Sequence, residues 1–136
     1  MWQGCNVVAD ASALLAFLHD EAGADAVGTA LEAGVAISAV NLAEVLSKFV
    51  DHGTPVDTSL SVLRRSGLLG TSLKVFAVDE HMAIEIARLR KSTRKAGLSL
   101  GDRACLALGV VSGLPVLTAD RAWKVVGNNV ELSFIR

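Results

Sequence analysis

The chain has little that would tie it to a membrane, an oxidising compartment or a zinc site. Cys5 and Cys105 are its only cysteines, and neither lies in a CxxC pair or near a histidine in metal-ligand spacing. We therefore expect a reduced, cytoplasmic protein. No segment reaches the ~18 apolar residues of a membrane helix, and the first residues lack the basic start of a signal peptide. The net charge of −1 gives no general attraction for nucleic acids.

Aromatic residues are also scarce, at 4% of the chain, although 51% of it is hydrophobic. Alanine, valine and leucine dominate instead, which suits a layered α/β or helical core. A chain of 136 residues buries roughly two-thirds of its unfolded surface, so we expect one domain over residues 1–136. Trp123 stands alone near the end of the chain and is expected in the core or at a dimer contact.

Short apolar runs alternate with helical patterns along the chain. Asn41 is interpreted as the N-cap of a helix after the second run, and Asp79 as the N-cap of a longer helix that ends at Gly97. Strands that alternate with helices predict a parallel sheet covered on both faces, with ligands at the carboxyl ends of the strands. The predicted strands are 7–9, 35–38, 73–78, 115–118 and 130–135.

Positive charge is concentrated in one place despite the nearly neutral total. Most such clusters are solvated helix faces, and cations near a helix C-terminus also favour the helix dipole. The alternative is a phosphate-binding surface, which gains support if a carboxylate site lies nearby, because such a site repels nucleic acid unless cations line the approach. The five cations of this basic segment are Arg88, Arg90, Lys91, Arg94 and Lys95.

Four of the fourteen acids stand apart because they lie in or directly after apolar segments. Asp10 and Asp120 each follow a predicted strand, so a parallel sheet places both at one edge. Glu44 lies one turn into the helix after the second strand and falls at the same edge. Asp102 lies in the first turn of a later helix, and spacing alone leaves its edge open.

Each of these acids also fits an ordinary role as a helix cap, a first-turn acid or a turn residue. Four such groups at one edge would repel one another, and a hard divalent cation resolves that repulsion. Oxygen ligands without histidine or cysteine favour Mg²⁺ or Mn²⁺ over zinc. The hydroxyls of Ser12 and Thr118 are placed to hydrogen-bond the carboxylates or waters on the metal.

Together these segments resemble PIN-domain ribonucleases, and among them the VapC-type toxins of toxin–antitoxin pairs. The resemblance covers essentially the whole chain and implies a three-layer α/β/α fold with a parallel sheet of order 3-2-1-4-5. Ala11 departs from the family's pattern, because a polar residue usually follows the first aspartate, and Gly101 is a less common neighbour for Asp102. The segments that carry the resemblance are Val-Val-Ala-Asp10-Ala-Ser12, Asn41-Leu-Ala-Glu44, Leu98-Ser-Leu-Gly-Asp102-Arg and Leu117-Thr118-Ala-Asp120-Arg.

The resemblance implies cleavage of RNA phosphodiester bonds that depends on Mg²⁺ or Mn²⁺ held by Asp10, Glu44, Asp102 and Asp120. It further implies in-line attack by water, products with 5′-phosphate and 3′-hydroxyl ends, a homodimer and a VapB-type antitoxin that blocks the site. With carboxylates expected nearby, basic residues become candidate RNA contacts. Those candidates are Arg88, Lys91, Lys95, Arg103 and Arg121.

Other interpretations explain part of the pattern. One alternative is a non-toxin nuclease or a catalytically silent protein-binding module of the same fold, and the presence of all four acids favours a catalyst over the silent module. A phosphotransfer receiver domain needs paired acids after the first strand and a lysine after a later strand, which the chain lacks. A dehalogenase-type phosphatase needs Asp-x-Asp near its start, where this chain has Asp10-Ala11-Ser12.

Overall fold

The computed structural model, which describes residues 2–125 and 130–136, contains a five-stranded sheet. The strand order is β3-β2-β1-β4-β5 and each neighbouring pair is parallel, which confirms the predicted order. Because β1 is central, its carboxyl end lies beside those of β2 and β4. The strands are β1 (Val7–Ala9), β2 (Val35–Ser38), β3 (Leu73–Phe76), β4 (Val116–Thr118) and β5 (Leu132–Phe134).

The helices connect successive strands and cover the sheet. A short 3₁₀ helix over Arg121–Val125 follows β4. Among the helices in the described ranges, none has both the length and the apolar character needed to span a bilayer. The helices are α1 (Ala11–Leu18), α2 (Ala24–Ala33), α3 (Ala39–Asp51), α4 (Val56–Arg65), α5 (Glu80–Arg88), α6 (Arg90–Thr93) and α7 (Leu100–Ser112).

Two apolar clusters produce a three-layer arrangement. Val35 and Ile37 of β2 belong to the cluster formed with α1, α2 and α3, whereas Ala36 between them belongs to the cluster formed with α5 and α7. Successive residues of a strand point to opposite faces of the sheet, so helices cover both sides. The predicted α/β/α fold is therefore confirmed. The Trp123 side chain is 0% exposed and lies in the cluster formed with α5 and α7, so it belongs to the core.

Two helix boundaries differ from the sequence interpretation. Helix α3 begins at Ala39 because Ser38, and not Asn41, is its N-cap, and the Ser38 hydroxyl accepts a hydrogen bond from the Val40 amide at 3.2 Å. Asn41 therefore lies inside the first turn of α3, and its side-chain amide is free to form hydrogen bonds other than a helix cap. Asp79 caps α5 as predicted, but that helix ends at Arg88, and the basic segment continues through the separate helix α6.

Candidate functional site

The four acids that the sequence singled out line one cavity of about 220 Å³ at the carboxyl edge of the sheet. Asp10 directly follows β1 and Asp120 lies two residues after β4, while helices α3 and α7 carry the other two acids. The position of Asp102, which spacing left open, is therefore at the same edge as Asp10. This acidic cavity is lined by Asp10, Ala11, Ser12, Leu15, Glu44, Lys48, Asp102 and Asp120.

Asp10 is only 4% exposed, and its carboxylate accepts hydrogen bonds on both oxygens. Its Oδ1 accepts the N-cap bond of α1 from the Ala13 amide at 2.8 Å. Its Oδ2 accepts from Thr118 Oγ1 at 2.6 Å. The Ser12 hydroxyl lies 2.7 and 2.9 Å from the two oxygens and donates its single proton to one at a time. Asp10 is therefore both a helix cap and a fixed, buried acceptor.

The same two hydroxyls also hold the backbone after β4. Ser12 Oγ accepts a hydrogen bond from the Ala119 amide at 3.0 Å, and Thr118 Oγ1 accepts one from the Asp120 amide at 3.0 Å. The exposed Asp120 carboxylate accepts from the Ala122 amide at 3.0 Å. The ends of β1 and β4 are thus joined through side chains, which fixes where the two aspartates stand.

Burial dominates the electrostatics of the central aspartate. Desolvation raises the pKa of Asp10 above its ordinary value, and the hydrogen bonds from Thr118, Ala13 and Ser12 partly oppose this, while the charge of Asp102 adds to the rise. Burial of an ionised carboxylate costs free energy unless an opposite charge or hydrogen bonds compensate for the lost hydration. A cation in the acidic cavity would therefore favour the ionised form of Asp10.

Cys105 on α7 is buried close enough to three of these acids for their charges to act on its thiol. Complete burial raises the pKa of its thiol well above the ordinary value, and the charges of Asp10, Asp102 and Glu44 raise it further. A thiol with a raised pKa is neutral at physiological pH and is a poor metal ligand. Both cysteines are free and buried, and the lining residues that could ligate a metal ion carry carboxylate or hydroxyl oxygens.

Helices α3 and α7 place the remaining two acids. Glu44 Oε1 accepts a hydrogen bond from Asn41 Nδ2 at 2.8 Å. Asp102 forms a capping box with Ser99 at the start of α7, because its Oδ2 accepts from the Ser99 amide at 2.9 Å while Ser99 Oγ accepts from the Asp102 amide at 3.1 Å. Asp102 thus caps its helix and also faces the cavity.

Lys48 is a lining residue that sequence reasoning missed. It lies four residues after Glu44, so the two side chains share a face of α3. This i, i+4 spacing is the sequence feature that could have placed Lys48 beside the acids. Within the described part of the chain, Lys48 makes no ion pair with a carboxylate. A cation without an acidic partner at the wall of an acidic cavity is available to an anionic ligand.

The predicted RNA contacts fall into two groups. Arg103 is partly buried, and its Nη1 donates to the Ile86 carbonyl at 3.1 Å, which ties α7 to the end of α5. Among the exposed members, Arg88 pairs with Glu85 at 3.5 Å, and the Arg121 guanidinium lies 5.3 Å from the Phe134 ring centroid. None of the five lines the acidic cavity. The exposed members are Arg88, Lys91, Lys95 and Arg121.

The donor set of the acidic cavity fits a hydrated hard cation. Within residues 2–125 and 130–136, no group of three or more histidine, cysteine, aspartate or glutamate side chains is arranged so that it could hold a metal ion by itself. Mg²⁺ rarely uses a cage made only of protein ligands, because it keeps several waters and takes one or two carboxylates. Carboxylates spread around about 220 Å³ leave room for those waters. The residues present therefore fit Mg²⁺ or Mn²⁺ better than zinc.

Comparison with known proteins identifies the family. Residues 7–129 match the family model of the PIN domain, and this range covers most of the chain. The chain therefore belongs to the PIN domain family. No curated protein shows significant sequence similarity to it.

Solved structures share this fold over nearly their whole length. VapBC2 from Rickettsia felis, bound to a DNA fragment from its promoter, aligns with a TM-score of 0.68 and 15% identity over 93% of this chain and 96% of that chain. DNA-bound VapBC from Salmonella typhimurium aligns with a TM-score of 0.70 and 14% identity, over 97% of this chain and 99% of that chain. VapBC-5 from Mycobacterium tuberculosis aligns with a TM-score of 0.56 and 23% identity, over 98% of each chain. At these identities the likeness establishes the fold.

Proposed function

We propose that this chain is a metal-dependent endoribonuclease toxin of the VapC type, with residues 1–136 acting as one PIN domain. The observation that carries the proposal is the convergence of Asp10, Glu44, Asp102 and Asp120 on one cavity of a PIN fold. The full-length likeness in fold to VapBC complexes supports the toxin class. In this proposal a VapB-type antitoxin blocks the site and the toxin is a homodimer.

The four carboxylates would hold Mg²⁺ or Mn²⁺ in the acidic cavity. Such an ion, when bound, neutralises charge on a phosphate and lowers the pKa of water. Asp10 is the central ligand, because Ser12, Ala13 and Thr118 hold its carboxylate in one orientation. The reaction is hydrolysis of a phosphodiester by in-line attack of water, which leaves a 5′-phosphate and a 3′-hydroxyl.

Cations must line the approach of RNA, since carboxylates repel phosphates. Lys48 at the cavity wall is placed to hold a phosphate close to the reacting group. We propose that the exposed cations Arg88, Lys91, Lys95 and Arg121 hold the strand further away. The Arg103 guanidinium already donates to the Ile86 carbonyl. A contact between Arg103 and an RNA phosphate remains a prediction.

The direct test is cleavage of transfer and ribosomal RNA by purified protein. We expect cleavage with Mg²⁺ or Mn²⁺, 5′-phosphate ends on the products, complete loss with EDTA, and recovery when excess metal is restored. Glu44→Gln should lower the rate by more than about 100-fold, because the ligand charge is lost. Glu32→Gln is the matched control, since Glu32 is an exposed acid outside the acidic cavity. Cleavage that persists in EDTA would contradict the metal mechanism.

Removal of the Lys48 charge is expected to act on RNA binding. Lys48→Ala should raise KM about tenfold with little change in kcat, because a phosphate contact stabilises the bound RNA and its transition state alike. The slope of log KM against log salt should fall by about 0.7, the value for one phosphate contact with a single strand. Lys48→Arg should restore most of the binding. Arg65→Ala, which removes an exposed cation of α4, should change neither quantity. A loss confined to kcat would contradict this role.

A further inference from the structure

Asn41 is a buried polar residue that the proposed mechanism does not yet use. It is 1% exposed, and its Nδ2 donates to Glu44 Oε1 at 2.8 Å and to the Gly101 carbonyl at 2.9 Å. Both partners are acceptors, so the amide has its amino group on this side. Asn41 therefore bridges α3, which carries Glu44, and the first turn of α7, which carries Asp102.

Gly101 contributes the space in which the Glu44 carboxylate lies. A Cβ atom at Gly101 would stand 2.6–2.7 Å from Oε2, Cδ and Oε1 of Glu44, closer than side-chain packing allows. Gly101 does not have the positive φ that would call for glycine on backbone grounds. The absence of a side chain at Gly101 therefore leaves the Glu44 carboxylate free to occupy its present position, and any Cβ there would force the carboxylate to shift.

The amide of Asn41 also carries a cost that points to function. Its Oδ1 is buried and has no hydrogen-bond partner among the described residues. An unsatisfied buried acceptor destabilises a fold, so packing alone gives no reason for asparagine here. The useful group is the amino group, which holds Glu44 through Oε1 and leaves Oε2 without a hydrogen bond among the described residues.

We infer that Asn41 and Gly101 form a cradle that positions the Glu44 carboxylate for a divalent cation shared with Asp102. This inference rests on the proposed function, because the cation is that of the nuclease site. Glutamate has three rotatable bonds and loses rotamer freedom when it binds an ion. The neighbouring carboxylates of Asp10 and Asp102 also repel it. The cradle fixes the side chain before the ion arrives, so less ordering remains at binding.

The first test is Gly101→Ala, with Mn²⁺ binding measured by calorimetry in the absence of RNA. Alanine favours a helix over glycine, so the metal-free variant should fold, while its methyl group displaces the Glu44 carboxylate. We expect the Kd for Mn²⁺ to rise about 10–100-fold. Leu100→Ala is the control, because Leu100 lies in the same turn and is 60% exposed, and its Kd should match that of the wild type. Asn41→Ala should weaken Mn²⁺ binding in the same direction as Gly101→Ala.

The second test asks whether Gly101 acts through Glu44. In a Glu44→Ala background the added methyl group meets no carboxylate, so Gly101→Ala should change the remaining Mn²⁺ affinity by less than about twofold. Equal weakening in both backgrounds, or wild-type affinity in Gly101→Ala itself, would overturn the cradle. A wild-type protein that binds no Mn²⁺ would overturn it as well. Mn²⁺ binding without RNA cleavage would refute the nuclease proposal alone. The comparison of Gly101→Ala in the wild-type and Glu44→Ala backgrounds would still test whether Gly101 positions Glu44.

Discussion

Asp10→Asn is expected to abolish RNA cleavage and, in the same molecule, to stabilise the metal-free fold. The loss of activity should exceed about 100-fold, because the central carboxylate charge is removed. The fold should persist, since the amide oxygen can still accept from Ala13 and the hydroxyls of Ser12 and Thr118 can rotate to accept from the new amino group. Cleavage at the wild-type rate would contradict the central role of Asp10.

The gain in stability follows from the direction of the pKa shift. Burial raises the pKa of Asp10 above its ordinary 3.8, so between 3.8 and the raised value the folded protein binds more protons than the unfolded chain. The free energy of unfolding therefore falls as pH rises through this window, and the deficit persists at neutral pH. Asp10→Asn removes this contribution.

Thermal unfolding in EDTA between about pH 4 and pH 7.5 measures this effect. The Tm of the variant should exceed that of the wild type near pH 7, and the difference should shrink as the solution is acidified. Adding Mg²⁺ should raise the Tm of the wild type but not that of the variant. A variant that is less stable than the wild type near pH 7 would contradict the desolvation argument.

Trp123→Ala is expected to have the largest effect on stability, about 3–5 kcal/mol of the free energy of unfolding. The side chain is 0% exposed and packs in the cluster with α5 and α7, so its removal leaves a cavity that the neighbours fill only in part. Urea unfolding in EDTA measures the loss without a contribution from metal. Trp2→Ala is the matched control, because Trp2 is half-buried and packs beside Phe76, with ring centroids 5.0 Å apart. A loss for Trp2→Ala equal to that for Trp123→Ala would contradict this ranking.

The sheet and two of its acids were predictable because they depend on local pattern and on one topological rule. Short apolar runs between helical segments indicate buried parallel strands. The carboxyl ends of such strands meet at one edge, which brings Asp10 and Asp120 together without further information. Family resemblance added the strand order, which periodicity alone does not contain.

The rest of the candidate site depends on contacts between helices that are distant in sequence. Asn41 and Gly101 are sixty residues apart, and no periodicity predicts that an amide on α3 donates to a carbonyl on α7. Asn41 suited a helix cap by residue type, but Ser38 occupies that position. Likewise, Arg103 resembles a phosphate ligand by its charge, whereas the fold places an α5 carbonyl within its reach.

The position of Cys105 has a consequence for how such a site withstands oxidative stress. Peroxides attack thiolates that are exposed and have a low pKa. The Cys105 thiol is buried in the core with a raised pKa, and carboxylate oxygens cannot be oxidised in the same way. Peroxide therefore has no reactive thiolate to attack at Cys105, and no cysteine is among the residues that line the acidic cavity.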